Sequence, residues 1–208
     1  MIPRRNLSFA RQPGHTQARR SNLAWSAPAI LAAFFSLGIA SVNAQAPDAA
    51  GRMLNLAAAD QPLVHTAIVN APVSEVWKAW TTKEGITSWM VASGEIDLRV
   101  GGKMRTSYTK GSDLTGPDVI ENSILCLDPQ RMLSIKIAKA PERFPFQRAM
   151  QNVWTVIYFE PVEEKRTKVT CRMIGFDHEE ESVKMRLFFL QGNQQTLDAL
   201  VKHFDKSR

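Results

Sequence analysis

The stretch Ser182–Phe204, SVKMRLFFLQGNQQTLDALVKHF, decides the fold. Leu190, Leu197, Val201 and Phe204 recur at helical spacing in one row, with Met185, Phe189, Gly192 and Thr196 beside them. A helix of that length spans roughly 30 Å, long enough to cross a whole sheet. The chain upstream must supply the surface that this helix covers.

Moving back from the helix, the apolar period changes to two. Lys168 to Phe176, Val153 to Phe159, Leu133 to Ala138 and Val119 to Leu127 read as strands. Glu163-Glu164-Lys165-Arg166 and Asp128-Pro129-Gln130 supply polar turns between them. Still further upstream, Glu95 to Val100 and Lys103 to Tyr108 alternate on either side of Gly101-Gly102, which predicts a tight hairpin. Leu63 to Val69 has the β-branched content of a strand, and Asn70-Ala71-Pro72 closes it with a helix-start signal. Val73, Val76, Trp77 and Trp80 then share one helical face, which reads as core rather than as a ligand platform. Gly85 breaks that pattern before a second short helical piece at Ile86 to Met90.

The order is strand, two helices, six strands, long helix. It predicts an α+β domain over residues 62–208 in which one antiparallel sheet curls around the closing helix. A curved sheet held off a long helix leaves an apolar tunnel, and such a tunnel is the default place for a ligand.

Four pieces in this order resemble the activator-of-Hsp90-ATPase-like branch of the START-like (SRPBCC) superfamily. They are Ala71-Pro72-Val73-Ser74-Glu75-Val76-Trp77-Lys78-Ala79-Trp80-Thr81, Ile96-Asp97-Leu98-Arg99-Val100-Gly101-Gly102, Leu127-Asp128-Pro129-Gln130-Arg131-Met132-Leu133, and Thr167-Lys168-Val169-Thr170-Cys171 leading to Gly175-Phe176. The resemblance implies the helix-grip fold, a curved antiparallel sheet of about seven strands wrapped around the C-terminal helix. It also implies a sheet order in which the last strand follows the first and the others descend from it. Cys126 and Cys171 then lie three strands apart, roughly 14 Å, too far for a disulfide, so two free thiols are expected. One departure stands out: the closing helix of the family often carries a Gly-Trp pair, whereas here Asn193 follows Gly192. A polar side chain where a ring would pack implies a wider or wetter pocket floor.

Large side chains on strands facing the long helix, and the helix itself, supply the expected ligand-binding residues: Tyr108, Trp154, Met173, Phe189 and Asn193. A small hydrophobic or aromatic molecule is the expected partner, with no cofactor, no metal and no nucleic acid. The segment Asp177-His178-Glu179-Glu180-Glu181 is the one dense group of metal-ligand types, but its spacing matches no standard site. Acidic residues there complement a helix N-terminus, with Ser182 or Asp177 as cap. An enzyme reading of the same cavity uses Tyr108, His65 or Arg172 as acid, base or anion holder. A protein-interaction or cochaperone-like role is the third reading. The loop Ala140 to Phe146 places Phe144 and Phe146 between prolines, either as a lid or as a rigid loop that buries its own rings. The sequence has no glycine-rich phosphate loop, no Gly-x-Ser-x-Gly elbow and no His-Glu-x-x-His pair, which removes the common nucleotide enzymes and hydrolases from the front rank.

The net charge of +6 does not point to nucleic acid. Arg4, Arg5, Arg11, Arg19 and Arg20 lie in residues 1–44 with no acidic residue, and the remainder carries 21 basic against 20 acidic side chains. Those 44 residues read as a signal peptide: an arginine-bearing start, the apolar run Ala29 to Ala40, and Ser41-Val42-Asn43-Ala44 before a cleavage point after Ala44. The apolar run is about a dozen residues, short of the roughly 20 that a spanning helix needs. Residues 45–61 read as a flexible tether, and the expected location is periplasmic or secreted.

Overall fold

Alternating inward apolar residues build one seven-stranded antiparallel sheet in the computed structural model, which describes residues 58–206. The elements run β1 (Leu63–Val69), α1 (Val73–Thr81), α2 (Lys83–Trp89), β2 (Ser93–Ile96), β3 (Lys103–Ser107), β4 (Ile120–Asp128), β5 (Met132–Lys139), α3 (Gln147–Met150), β6 (Trp154–Glu163), β7 (Arg166–Ile174) and α4 (Glu180–Lys206). The sheet order is β1-β7-β6-β5-β4-β3-β2, the order implied by the resemblance. The segment assigned as a signal peptide and most of the assigned tether lie outside the described residues.

Period-two alternation sets the concave face. Leu63, His65, Ala67 and Val69 on β1 pair across with Met173, Cys171, Val169 and Thr167 on β7. Thr155, Ile157 and Phe159 on β6 continue those rows, and Leu133 and Ile135 on β5 extend them further. Against this face lies α4, a helix of 27 residues and so roughly 40 Å long. It runs beside β1 in the same direction. The imidazole Nε2 of His65 lies 2.9 Å from the Leu190 carbonyl, and Asn70 Nδ2 donates to Asp205 Oδ1 at 2.9 Å.

The apolar contacts form two main clusters. The larger joins Trp77 and Trp80 of α1, Trp89 of α2, Ile157 and Phe159 of β6, and Leu197 and Leu200 of α4. Its rings meet edge to face: Trp77 on Phe159 at 5.3 Å and Trp80 on Trp89 at 5.1 Å. Both α1 tryptophans are therefore core, as their spacing predicts. The second cluster sits at the other end of α4 and holds Leu63, Met150, Val153, Met173, Phe176 and Met185.

The structure corrects two local expectations. The inward face of α4 runs through Ser182, Met185, Leu197 and Leu200, with Phe189 and Asn193 between, while Leu190 is 46% exposed. The apolar row through Leu190 is therefore rotated from the true one. The second correction concerns the hairpin, because β2 stops at Ile96 and Gly101-Gly102 is not a two-residue turn. Arg99 N–H donates to the Asp97 carbonyl and Gly102 N–H to that of Arg99, so the turn is centred on Val100 and Gly101, with Gly101 at a φ of 78°. Gly101 N–H then donates to the Ile124 carbonyl, and Ile124 N–H to that of Gly102, which ties the loop to β4. A Cβ on Gly102 would lie 2.0 Å from the Asp97 carbonyl oxygen, so no larger residue fits.

Candidate functional site

The strand period and the helix period converge at the second cluster. Met173 faces inward from β7, Thr155 from β6, Ile135 and Ile137 from β5 and Asn122 from β4. Phe189 and Asn193, four residues apart on α4, come down onto them. Between sheet and helix remains a cavity of about 80 Å³, lined by these residues together with Met150, Val153 and Trp154. Four of the five residues expected from sequence, Trp154, Met173, Phe189 and Asn193, line this one cavity. The fifth, Tyr108, does not. It follows the last residue of β3 and is 41% exposed.

Three polar side chains interrupt the apolar wall: Asn122, Thr155 and Asn193. Asn193 Nδ2 lies 3.1 Å from the Met173 sulfur, a weak acceptor. Asn122 and Thr155 come from the sheet and stand opposite Asn193 in the same lining. Asn122 and Thr155 escaped the sequence reading, although each stands in alternation with inward apolar residues of its own strand.

The loop that carries Phe144 and Phe146 packs behind the cavity wall, touching it at Phe189. Their rings lie 5.5 Å apart, and Phe144 meets Phe188 at 5.9 Å and Phe189 at 6.3 Å. The loop packs its half-buried rings against α4, and one of the rings it touches, Phe189, is cavity wall. The four-residue α3 follows, giving Met150 to the wall. Its start is held from α4: Arg148 N–H and Ala149 N–H both donate to Glu181 Oε1, at 3.0 and 3.1 Å. The Ala149 N–H above all, with Arg148, holds the Glu181 carboxyl below its usual range.

Glu181 is the last residue of the acidic segment that leads into the first turn of α4. Asp177 Oδ1 accepts from Glu179 N–H and Ser182 Oγ accepts from Asp177 N–H, so these residues build the helix entry. A surface recess of about 160 Å³ lies beside them, lined by Arg148, Asn152, Asp177, Glu179 and Glu181. Among the described residues no three His, Cys, Asp or Glu side chains group as metal ligands. Of the groups considered for proton or anion chemistry, His65 is buried beneath α4, and Arg172 is exposed at an outward position of β7, away from the cavity. Cys126 and Cys171 are free, and burial pushes the Cys171 thiol up to about 12.

Residues 70–205 match the family described as "Activator of Hsp90 ATPase homolog 1-like protein". No curated protein matches the chain in sequence. Among solved structures, the chain is similar to protein MLL2253 from Mesorhizobium loti, with 18% identity and a TM-score of 0.56 over 71% of this chain and 99% of that one. Protein NE0264 from Nitrosomonas europaea gives 18% identity and a TM-score of 0.53 over 72% and 97%. CalU16 from Micromonospora echinospora gives 21% identity and a TM-score of 0.50 over 69% and 75%. At such identities the likeness is one of fold.

Proposed function

The chain belongs to the activator of Hsp90 ATPase homolog 1-like family, and from that premise we propose that it is a binding protein holding a small apolar molecule between sheet and α4. The observation that carries this reading is the cavity itself: apolar walls, three convergent polar groups, and a place beneath the closing helix. Its volume of about 80 Å³ is below the range of roughly 300 to 1,000 Å³ for drug-sized ligands. Binding therefore requires the wall to give. Met150 and Met173 are unbranched and fill irregular space in several conformations, and Phe189 is backed by a loop rather than by a strand. The site accepts a ligand by rearranging the Met and Phe side chains while the tryptophan end stays fixed.

A second reading follows the family description, in which the domain works by touching a chaperone. Leu187 and Leu190 on α4, with Val64 and Ile68 on β1, are exposed apolar side chains available for such a contact. Location separates the two readings. We propose export, supported by the arginine-bearing start, the short apolar run and the small residues leading up to Ala44 in the sequence. Intact mass of the protein from its own host tests this: loss of residues 1–44 supports export, and a retained segment favours the chaperone reading.

Ligand binding is tested by native mass spectrometry of the same material, followed by denaturation and identification of what is released. A defined apolar compound near one-to-one supports the cavity reading. A protein that comes empty, and takes up neither toluene nor p-cresol when these are added, overturns it.

A further inference from the structure

His65 stands on the concave face of β1 with 7% of its surface exposed, and its two ring nitrogens are not equivalent. Nε2 lies 2.9 Å from the Leu190 carbonyl oxygen. A carbonyl only accepts, so Nε2 carries the proton, and in the neutral ring Nδ1 is a bare acceptor. Nδ1 is buried and has no hydrogen-bond partner among the described residues. Buried polar atoms are nearly always paired, and one that is not requires a reason. The cross-strand neighbour does not supply one. Cys171 is the cross-strand partner of His65, yet its thiol makes no bond to the ring. Burial keeps that thiol protonated, so it offers the ring no counter-charge either.

The place of His65 connects this orphan atom to the cavity. Next to Cys171 on the inward face of β7 is Met173, which is cavity wall. On α4, Leu190 directly follows Phe189, which is also wall. The imidazole is therefore offset from the wall at Met173 by one inward step along the strands, about 7 Å, and by one strand across the sheet, about 5 Å. Growth of the cavity past Met173 and Phe189, the side chains already argued to move, leads toward His65.

We propose that the ligand of this cavity carries a hydroxyl or N–H donor accepted by His65 Nδ1, so that the protein selects a neutral donor-bearing apolar molecule over the matching hydrocarbon. This rests on the binding reading given above and narrows its ligand class. The Leu190 carbonyl is a positioning group: by fixing the proton on Nε2 it keeps Nδ1 an acceptor. A ligand lacking the donor leaves Nδ1 buried and unpaired, which is how a polar site rejects an analogue missing one group. An anion is disfavoured by the same tautomer, since a bare nitrogen lone pair repels it.

Three matched probes test the proposal on the full chain: toluene, p-cresol and p-toluate, titrated at neutral pH by calorimetry and by ¹⁵N spectroscopy of the histidine ring. The expected result is p-cresol binding about tenfold tighter than toluene, with p-toluate weaker than both. The Nδ1 resonance shifts with p-cresol while that of Nε2 holds. In His65→Phe the preference falls to within about twofold and toluene binding is retained. Equal affinities in the unmodified chain, a preference that survives His65→Phe, or tightest binding of p-toluate overturns the proposal while leaving the cavity reading intact. If His65→Phe fails to fold, the unmodified chain decides, because bound p-cresol with an unmoved Nδ1 resonance is equally fatal. Should no probe bind at all, the cavity reading falls and the proposal with it.

Discussion

The two ends of the concave face are built from different side chains, and the difference explains why the cavity is at one of them. Under α1 and α2 the sheet is covered by Trp77, Trp80 and Trp89 locked edge to face, with Phe159 and β-branched neighbours beneath. These side chains have few rotamers, and Trp89 is also fixed by donating Nε1–H to the Ala79 carbonyl at 3.0 Å. Under α3 and the first half of α4 the cover is Met150, Met173, Met185 and a group of phenylalanines held by a loop. Methionine fills space without fixing its shape. One end is fixed in shape by its rings, and the other is filled by side chains of adaptable shape.

Substitution in the two cores gives the largest contrast. Phe159→Ala removes a fully buried ring that touches both Trp77 and Trp80, and is expected to lower stability by about 3 to 5 kcal/mol. Met173→Leu keeps the volume at the other end and is expected to cost less than about 1.5 kcal/mol, with a changed response to toluene. Urea unfolding monitored by tryptophan fluorescence measures both. If Met173→Leu proves as damaging as Phe159→Ala, the cavity end is as tightly specified as the tryptophan end, and the contrast is gone.

The same contrast governs what is readable in the sequence. Regular elements with a clean period are legible: β1, the α1 face through Trp77 and Trp80, and the paired strands β6 and β7. Sheet order comes from the family resemblance, since antiparallel strands of similar composition carry no local sign of their neighbours. The inward row of α4 is legible in part: Phe189, Asn193 and Leu197 are expected inward, whereas Leu190 extends the apolar row in the sequence and is exposed in the structure. Asn193 interrupts the apolar period where the helix lines a cavity. The strand after Glu95 reads too long for another reason. Alternation persists through Leu98 and Val100, but backbone bonds from Gly101 and Gly102 to Ile124 hold the loop, and periodicity does not see bonds to distant strands. At four residues, α3 has no period to read. Even so, four of the five expected residues line the cavity, because large side chains on inward strand positions and on the helix opposite are what bound a tunnel.

A smaller effect tests whether the yielding end is held by its loop. Glu181 is the acceptor for two backbone N–H groups at the start of α3, so Glu181→Ala is expected to speed amide exchange at Arg148 and Ala149 by roughly fivefold. Exchange in α1 should be unchanged. The pH dependence has a definite sign. With its carboxyl below the usual range, Glu181 stays charged in the folded state until the solution is more acid than the ordinary value of about 4.3. Its hold on α3 is then lost as pH falls through the lowered folded value. Exchange at Arg148 that is as slow in Glu181→Ala as in the unmodified chain would show that the phenylalanine contacts alone hold the loop.

The smallest expected effect comes from the convex face, where neither core is touched. Glu121 on β4 accepts from Lys103 Nζ at 2.6 Å and from Arg105 Nε at 2.7 Å, and Arg105 also reaches Glu95 on β2. The Lys103 bond first, then that of Arg105, depresses the Glu121 carboxyl. A depressed carboxylate adds stability above its unfolded value, and that contribution disappears as pH falls through the folded value. Glu121→Gln should therefore lower Tm at pH 7 by roughly 2 °C or less, because exposed ion pairs are worth little and salt screens them. The gap from the unmodified chain should narrow below about pH 4 and shrink in 1 M salt. A larger loss, or one indifferent to pH and salt, would mean that these charges fix the β2–β3–β4 edge. The curl of the sheet would then depend on the outer face as well as on what fills the inner one.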